Sequence, residues 1–344
     1  MDIAKLSHQL KTTTPAMVYL VLGTQQVILQ QAVDAFIKLI PEAERVMNVG
    51  RYDMETTPLA VALDDAMAAP FFGERRLVII NKPYFLTGEK KRGKVEHDLD
   101  SLKHYLEHPE PSTILVLTAP YEKLDGRKAI VKQLKKVAVL VDAAPLDEKQ
   151  ARSRINTQLS SAGYTIDEDA LDELVQRTNA DYGLMDANLS KLQLLAYQTK
   201  HIERQMVADL VPQSLDENVF DLVTAVLHHQ QGQALDLYHQ LLLGQQQPLR
   251  INAVLVSQFR LLIQIKVLHQ RGLSQGNLAR QLSVHPYRIK LGLQTVRNFS
   301  IEALENAYLG LIRIEQTLKT TQRDPALLFQ LFMLQYSQRQ RISS

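Results

Sequence analysis

The first 145 residues alternate short apolar runs with longer helical patterns, and this alternation restricts that region to a parallel α/β sheet. The apolar runs are rich in Val, Ile and Leu and too short for buried helices: Met17–Leu22, Val46–Tyr52, Leu77–Ile80, Ile114–Thr118 and Val137–Val141. Helical patterns separate them near Gln25–Ile40, Pro58–Ala68, Leu99–His108 and Gly126–Lys135. Because the runs are almost continuously apolar, we expect strands that are covered on both faces of the sheet.

The strand pattern stops at Leu146, and the rest of the chain reads as helices. Asp147 is a suitable cap for the first of these helices. A connection near residue 213 then leads into a longer helical block. The sequence therefore predicts an α/β plus all-α fold in three domains: residues 1–145, 146–213 and 214–344.

Composition excludes several classes of protein. Of the 344 residues, 45% are hydrophobic and 22% are charged, as in ordinary soluble domains. The absence of cysteine excludes disulfides, thiolate nucleophiles and cysteine-ligated zinc, and it fits a reducing compartment. We find no signal peptide in the opening MDIAKLSHQLK and no run of about 18 apolar residues. We therefore expect a cytoplasmic protein with no membrane partner.

Charge is distributed unevenly along the chain. From Ser214 onward there are 13 Lys and Arg against 8 Asp and Glu, whereas the preceding part is slightly acidic. Such an excess favours an anionic partner for the C-terminal part. For any single one of these basic residues, a solvated helix face is favoured over contact with an anionic partner.

The turn after the first predicted strand tests for a nucleotide site. A phosphate-binding loop there reads GxxxxGK[ST], in which glycine N–H groups surround phosphate, lysine reaches the outer phosphates and a hydroxyl holds magnesium. This chain has LGTQQVILQQ: Gly23 is present, but Ile28, Leu29 and Gln30 replace the second glycine, the lysine and the hydroxyl residue. Gly23 is interpreted as a turn glycine.

The acidic pair that would hold metal and activate water is also missing. Asn81 and Lys82 follow the strand RLVII, and neither binds magnesium well. Two parts of a phosphoryl-transfer site are therefore absent, and we expect a nucleotide-binding shape without cofactor, metal or catalysis. A nucleotide hydrolase with an unusual phosphate site remains an alternative.

Other catalytic patterns are weak. His228, His229 and His239 lack the carboxylate spacing of a metal site, and no GxSxG sequence occurs. Asp64 and Asp65 are adjacent, but neighbours on a helix point about 100° apart. We expect both carboxylates to be solvated, and no catalytic residue is assigned.

Residues 273–292, LSQGNLARQLSVHPYRIKLG, allow a helix-turn-helix. Leu278–Leu282 would be its first helix and Pro286–Leu291 the start of a recognition helix, with Arg288 and Lys290 facing phosphates or bases. The long amphipathic helices on either side favour an ordinary helical hairpin in a bundle. A DNA-binding regulator remains a second alternative.

Residues 66–76, AMAAPFFGERR, place two phenylalanines at a turn. Pro70 would end the preceding helix and Gly73 would shape the turn. Adjacent side chains at a turn rarely point the same way, so we expect Phe71 or Phe72 to be exposed. An exposed ring on a rigid loop is a frequent binding anchor. The residues alone leave anchor and core interpretations open.

Taken in order, several motifs resemble one known family across nearly the whole chain. They are VYLVLGTQQVILQQAVDAF, APFFGERRLVII, PSTILVLTAPYEKLDGRKAIVKQLKK and LARQLSVHPYRIK. The chain resembles the delta subunits of bacterial DNA polymerase III, which are clamp-loader subunits that open the sliding clamp. PFFGERRLV is the most specific motif and is similar to the low-GC Gram-positive branch.

The resemblance implies an AAA+-like domain with a degenerate phosphate loop, a small helical lid domain and a helical collar domain for loader oligomerisation. It implies clamp opening without ATP hydrolysis. The implied partners are the beta sliding clamp, the tau/gamma and delta-prime subunits, and primed DNA at the replication fork.

The resemblance also implies particular site residues. An apolar pair at the turn enters the clamp's peptide-binding pocket, with Phe71 as the best match and Phe72 or Pro70 as its partner. Met67 supports this wedge or packs in the core. DNA-phosphate candidates are Arg288, Lys290, Arg297 and Arg323.

Overall fold

Five parallel strands form the centre of the N-terminal part of the protein. In this computed structural model, which describes residues 1–71, 73–88, 95–213 and 215–343, the strand order is β2-β3-β4-β1-β5. The strands are β1 Val18–Leu22, β2 Val49–Asp53, β3 Arg76–Asn81, β4 Thr113–Ala119 and β5 Val139–Asp142. Every pairing between them is parallel. All seven residues of the central strand β4 are buried, as its apolar run requires.

Helices cover both faces of this sheet. They are α1 Ile3–Thr12, α2 Gln26–Ile37, α3 Arg45–Asn48, α4 Leu59–Met67, α5 Leu99–Glu107 and α6 Ala129–Val137, with 3₁₀ turns at Glu42–Glu44 and Tyr84–Leu86. Leu20, Leu63 and Leu102 belong to one core cluster, which α4, α5 and α6 share with alternate strand residues. On the other face the Tyr19 ring packs against Phe36 of α2, with ring centroids 4.7 Å apart. This alternation follows from the two-residue period of a strand.

One predicted strand begins too early. The apolar run Val46–Tyr52 was expected to be strand throughout, but Arg45–Asn48 form the short helix α3 and β2 begins at Val49. Val46 and Met47 are exposed in that helix, so their apolar character does not reflect burial in the sheet. This difference matters below, because α3 borders the candidate site.

The C-terminal part is helical, apart from one short two-stranded parallel sheet. Its first elements are α7 Glu148–Ser161, β6 Thr165–Ile166, α8 Glu168–Arg177, α9 Tyr182–Leu195, β7 His201–Ile202 and α10 Arg204–Leu210. Asp147 caps α7 as predicted, in a capping box with Gln150. The remaining helices are α11 Leu215–Leu227, α12 Gln231–Leu243, α13 Pro248–Gln270, α14 Gln275–Leu282, α15 Pro286–Val296, α16 Ile301–Thr320 and α17 Pro325–Ser343.

The predicted fold class, α/β plus all-α, is confirmed by these elements. The chain divides into two compact units, Met1–Leu146 and Asp147–Ser344. The predicted three-domain division, with its further boundary between residues 213 and 214, stays a prediction.

The long helix α13 is the central helix of the C-terminal unit. Among the residues that the structure describes, it alone is long and apolar enough to cross a membrane by length and composition. Its buried side chains, including Leu255, Phe259 and Leu262, belong to the core cluster of the bundle. α15 approaches it so closely that a Cβ on Gly292 would lie 2.5 Å from Cδ1 of Ile265. Packing in the core of the helical bundle accounts for the apolar composition of α13.

Candidate functional site

Residues 68–75 connect α4 to β3 and lie at the edge of the sheet formed by the amino-terminal ends of its strands; we call this segment the α4–β3 loop. β2 and β3 are neighbours, with Val49 paired opposite Leu77. The segments that precede these two strands are therefore neighbours as well. Since α3 ends at Asn48, immediately before β2, it lies beside the α4–β3 loop.

The α4–β3 loop carries an exposed phenylalanine. Phe71 is 64% exposed and Met67, at the end of α4, is 56% exposed, whereas Pro70 between them is half-buried. Leaving a Phe side chain in water forgoes about 1.5–3 kcal/mol of burial free energy. The core interpretation of the turn thus fails for Phe71. Phe72, the other predicted member of the pair, lies outside the described residues.

The backbone of Phe71 is held by a buried side chain. Its N–H donates a hydrogen bond of 2.9 Å to Oδ1 of Asn48. Asn48 is fully buried, in contrast to its exposed neighbours in α3. The loop is therefore attached to α3 directly below the exposed ring.

A second attachment comes from Arg76, the first residue of β3. Its Nη1 donates to the carbonyl of Ala69 at 3.1 Å, and its Nε donates to Oδ1 of Asp65 at 2.8 Å. Arg76 and Asp65 form an ion pair in which both side chains are mostly buried. Arg76 thus joins the last turns of α4, the start of the loop and β3.

The environment of Asp65 corrects one expectation. Asp64 is exposed as expected, but Asp65 is not solvated, because it accepts hydrogen bonds from Arg76. Tyr52 lies against the same carboxylate: burial, together with a hydrogen bond to Asp65, raises the pKa of Tyr52 to about 12. The two adjacent aspartates point in different directions, as helix geometry requires.

Gly73 lies in the turn at a backbone conformation that favours glycine. Its φ of +78° lies in the left-handed region, and an added Cβ would lie 2.1 Å from Oε2 of Glu44. The backbone conformation therefore favours glycine, while the Glu44 side chain could move to make room for a Cβ. The α4–β3 loop is thus held by Asn48 and by Arg76.

The degenerate phosphate loop lies at the opposite edge of the sheet, after β1. A Cβ on Gly23 would lie 1.9 Å from the backbone carbon of Ala143, so this glycine permits close packing of two backbone segments. The Gly23 N–H donates to the carbonyl of Ala119 at 3.1 Å, and the Gln25 N–H donates to the carbonyl of Ala143 at 2.9 Å. Two N–H groups of this turn are therefore bonded within the protein. The turn interpretation of Gly23 accords with this geometry.

The other positions of the degenerate loop carry no phosphate-binding group. Leu29 is buried in α2, where a phosphate loop has its lysine. Gln30 donates from Nε2 to Oδ1 of Asp34 at 2.8 Å, one turn further along the same helix. A phosphate at this edge would face aliphatic and amide groups.

The carboxyl end of β3 is occupied by internal contacts. Oδ1 of Asn81 accepts a hydrogen bond of 2.6 Å from the Thr118 hydroxyl. Nζ of Lys82 lies 2.8 Å from Oδ2 of Asp53 and 2.7 Å from Oε2 of Glu55, and these two hydrogen bonds raise the pKa of Lys82. Within residues 1–71, 73–88, 95–213 and 215–343, no group of three His, Asp or Glu side chains could hold a metal ion.

The four basic residues predicted to contact DNA occupy different positions in the C-terminal unit. Arg288 and Lys290 lie on α15, Arg297 follows its last residue, and Arg323 lies between α16 and α17. Nζ of Lys290 donates to Oε2 of Glu148 at 2.7 Å, so it is engaged in an ion pair. Arg297 and Arg323 are exposed.

The segment predicted as a possible helix-turn-helix does form two helices. α14 and α15 are joined by three residues, of which Ser283 has a φ of +53°. Ile289, Gly292 and Val296 are buried on α15, and Gly292 faces α13. One side of the presumed recognition helix therefore belongs to the bundle core.

Sequence reasoning identified the α4–β3 loop but missed the residues that hold it. Asn48 and Arg76 were not singled out, and Asp65 was assigned to solvent. One signal was available: Asn48 is a polar residue inside the apolar run Val46–Tyr52. A buried polar residue normally has a hydrogen-bonding partner, so its position indicates a specific contact.

Comparison with known proteins agrees with this fold. The family model described as DNA polymerase III, delta subunit, matches residues 19–144, and the model of the C-terminal domain of the same subunit matches residues 216–336. The DNA polymerase III subunit delta of Bacillus subtilis (strain 168) is 36% identical over 323 residues, covering 94% of this chain and 93% of that protein. The solved structure of the Bacillus subtilis DNA clamp loader delta protein has a TM-score of 0.77 and 34% sequence identity, and it covers 97% of this chain and 99% of that one.

The parallel sheet and the helical C-terminal unit match those of a clamp-loader subunit. Within that class, this chain belongs to the delta-subunit family of bacterial DNA polymerase III. The resemblance drawn from the sequence motifs is confirmed, and with it a role in DNA replication.

Proposed function

We propose that this chain binds the beta sliding clamp through the α4–β3 loop and promotes its opening for loading onto primed DNA, without hydrolysing ATP itself. The observation that carries the proposal is Phe71, a large apolar side chain that is 64% exposed on a loop whose backbone is fixed. Aromatic anchors on rigid loops are frequent centres of protein interfaces. Membership of the delta-subunit family supports the choice of the clamp as the partner.

The mechanism uses binding free energy and no bond chemistry. A clamp is a ring closed by subunit interfaces. If this chain binds the open or relaxed ring more tightly than the closed one, the difference in affinity shifts the equilibrium toward opening. Phe71 would anchor the chain in the clamp's apolar pocket, with Phe72 or Pro70 as its partner and Met67 in support. α4 would press against the ring.

The remaining partners follow from the same proposal. Residues 214–344 would form a collar with the tau/gamma and delta-prime subunits, which bind the ATP. Primed DNA would enter the assembled complex in the cytoplasm, at the replication fork. Arg288, Lys290, Arg297 and Arg323 would contact phosphates without reading bases.

The absence of catalysis is part of the proposal and has support at the phosphate loop. The Gly23 and Gln25 N–H groups bond to backbone carbonyls, and Leu29 is buried at the lysine position. A nucleotide hydrolase would instead show an increase in melting temperature with ATP and magnesium. We expect no such shift for this chain alone.

Clamp binding tests the proposal directly. Affinity for purified clamp is compared between wild type, Phe71→Ala and Phe71→Ala/Phe72→Ala, with unfolding curves for each protein. Leu140→Ala is the matched control, since Leu140 is also exposed and apolar but lies on the edge strand β5. Phe71→Ala should weaken binding at least about tenfold, or about 1.4 kcal/mol, with stability unchanged.

Two results would contradict the proposal. A loss of stability of about 3–5 kcal/mol in Phe71→Ala, typical of core Phe→Ala changes, would make the ring a core residue. Failure of the wild-type protein to bind clamp would remove the mechanism altogether.

A DNA-binding regulator is a second candidate, favoured by the helix-turn-helix arrangement of α14 and α15. It requires sequence-dependent binding to duplex DNA that survives moderate salt. Binding that depends only on phosphate charge falls steeply with salt and does not distinguish sequences. A salt titration on two unrelated duplexes separates the two.

A further inference from the structure

We infer that Asn48 is a positioning residue for clamp binding: its buried side chain fixes the backbone at Phe71 and thereby holds the ring in its exposed position. The inference rests on the proposed function. The residue lies 23 positions before Phe71 in the sequence, at the end of α3, and it is not part of the apolar anchor.

α3 buries its polar residue and exposes its apolar ones. This helix has four residues, and Asn48 is its only buried member. The two apolar residues before it are turned to solvent, Val46 being 88% and Met47 53% exposed. A helix of this kind would ordinarily bury its apolar residues and expose its amide. This reversed burial indicates that the position of Asn48 requires a polar side chain.

The α4–β3 loop provides the hydrogen-bond donor that pairs with this polar side chain. A buried amide group is unfavourable unless it is hydrogen-bonded, and Oδ1 of Asn48 accepts the Phe71 N–H at 2.9 Å. A leucine at this position would fill similar space but would leave that N–H without its acceptor. The hydrogen bond therefore explains why asparagine occupies a fully buried position here.

The bond to Asn48 lies close to a second attachment of the α4–β3 loop. Arg76 holds the carbonyl of Ala69 at 3.1 Å, and Asn48 holds the N–H of Phe71. Pro70, whose ring fixes its own φ, lies between the two attachment points. The segment from Ala69 to the Phe71 N–H is thus held at both of its ends. A loop already ordered in its binding conformation loses less entropy when it binds.

The test uses three variants in the full-length protein. Asn48→Leu removes the acceptor, Asn48→Asp keeps a carboxyl oxygen at the same place, and Asn252→Leu is the matched control. Asn252 is also a buried asparagine that bonds to backbone, but its Nδ2 donates to the Leu311 carbonyl at 3.1 Å and it lies in the C-terminal unit. Asn48→Ala replaces Asn48→Leu if the leucine variant does not fold.

Two quantities are measured: hydrogen exchange of backbone amides in the free protein, and affinity for purified clamp under conditions where each variant is folded. In Asn48→Leu, exchange in residues 68–75 should rise at least about tenfold while α4 and β3 keep their protection, and clamp affinity should fall about tenfold. Asn48→Asp should recover affinity to within about threefold of wild type. Asn252→Leu should change neither quantity.

The inference is overturned if Asn48→Leu keeps wild-type exchange at the loop or wild-type affinity. It is also overturned if exchange rises equally throughout the N-terminal unit, because Asn48 would then be a general core residue. Failure of the proposed function looks different: wild type and Phe71→Ala would bind the clamp equally, or not at all. The exchange measurement would still report whether Asn48 orders the loop.

Discussion

The loop that follows β1 and the loop that precedes β3 lie at opposite edges of the same parallel sheet. After β1, Gly23 packs against the backbone of Ala143, and N–H groups of the turn bond to carbonyls of neighbouring segments. Before β3, side chains hold the backbone, and Phe71 is left exposed to solvent. Backbone packing and backbone hydrogen bonds fill the carboxyl-terminal edge, which we call the closed edge. At the amino-terminal edge an aromatic side chain is exposed to solvent.

The same sheet fold can thus be present without the binding residues that it carries in other proteins. Ligands of open α/β sheets usually bind outside the carboxyl ends of the strands. Here that edge lacks the phosphate-binding residues, and Lys82 forms ion pairs with the carboxylates of Asp53 and Glu55. The exposed apolar residues lie instead at the amino edge. The carboxyl edge of this sheet is therefore occupied by internal contacts, whereas its amino edge exposes an aromatic ring.

The largest expected effect is at the closed edge, from Gly23→Ala. The new Cβ would overlap the backbone at Ala143, which cannot move aside as a flexible side chain could. Overpacking against backbone should lower the free energy of unfolding by about 3 kcal/mol or more. Urea unfolding of the variant measures this loss.

Gly126→Ala is the control for this change, because an added Cβ there meets no atom within 4 Å. It should leave the unfolding midpoint nearly unchanged. If Gly23→Ala proved equally harmless, the closed edge would be looser than the contact with Ala143 implies, and the contrast between the two edges would weaken.

Leu29→Lys restores the lysine of a phosphate loop and should still give no nucleotide site. Leu29 is buried, so a charged replacement should destabilise the protein by about 2–3 kcal/mol. The Gly23 and Gln25 N–H groups remain bonded to carbonyls and cannot surround a phosphate. Melting temperature with and without ATP and magnesium is the measurement. A nucleotide-dependent rise in the variant would show that the lysine alone was missing.

Much of the fold could be predicted from the sequence, because the strongest signals are local. β4 follows from an uninterrupted apolar run, and the start of α7 follows from Asp147. Failures occurred where local signals conflict with tertiary context. Arg45–Asn48 reads as strand because Val46 and Met47 are apolar, yet both are exposed in a helix. β6 and β7 have two residues each, too few for a detectable pattern.

The candidate site was predictable only in part. The turn at Pro70 and the exposed ring of Phe71 follow from adjacent residues. The contact between Asn48 and Phe71 depends on β2 and β3 being neighbours, which is a property of the whole sheet. Arg76 meets Asp65 across the turn, eleven residues away, and an isolated pair of aspartates gives no hint of it.

Asp65→Asn tests the side chains that hold the α4–β3 loop at the amino-terminal edge of the sheet. The change leaves Arg76 without its carboxylate partner in a mostly buried position. Breaking fully buried ion pairs costs about 3–5 kcal/mol, and this pair is partly solvated, so we expect a loss of about 2 kcal/mol. Clamp affinity should fall as well, since Arg76 also holds the Ala69 carbonyl.

The matched control is Asp64→Asn, one residue earlier on the exposed side of α4. It should change stability by less than about 0.5 kcal/mol. Equal losses in the two variants would mean that net charge on α4, and not the bond to Arg76, stabilises this edge.

The smallest expected effect is on the pH dependence of the free energy of unfolding, tested with Asp53→Asn at the closed edge. Partial burial alone raises the pKa of Asp53, but hydrogen bonds from Lys82 and from the Glu55 N–H outweigh it, so its pKa lies below the usual 3.8. A carboxyl group whose pKa is lowered by folding stabilises the protein above its unfolded pKa, and the contribution is lost as pH falls through the folded value. Because the pair with Lys82 is largely exposed, the gain at neutral pH should be no more than about 1 kcal/mol.

Urea unfolding of wild type and Asp53→Asn between pH 3 and pH 7 measures this contribution. The difference in unfolding free energy should favour wild type from about pH 5 upward and shrink as the pH falls below about 4. High salt should reduce it, since exposed ion pairs are screened. A difference that stays constant across this pH range would mean that Asp53 acts through hydrogen-bond geometry alone. In that case the Lys82 ammonium does not stabilise the carboxyl end of β3. The hydrogen bond between Asn81 and Thr118 would provide that stabilisation instead.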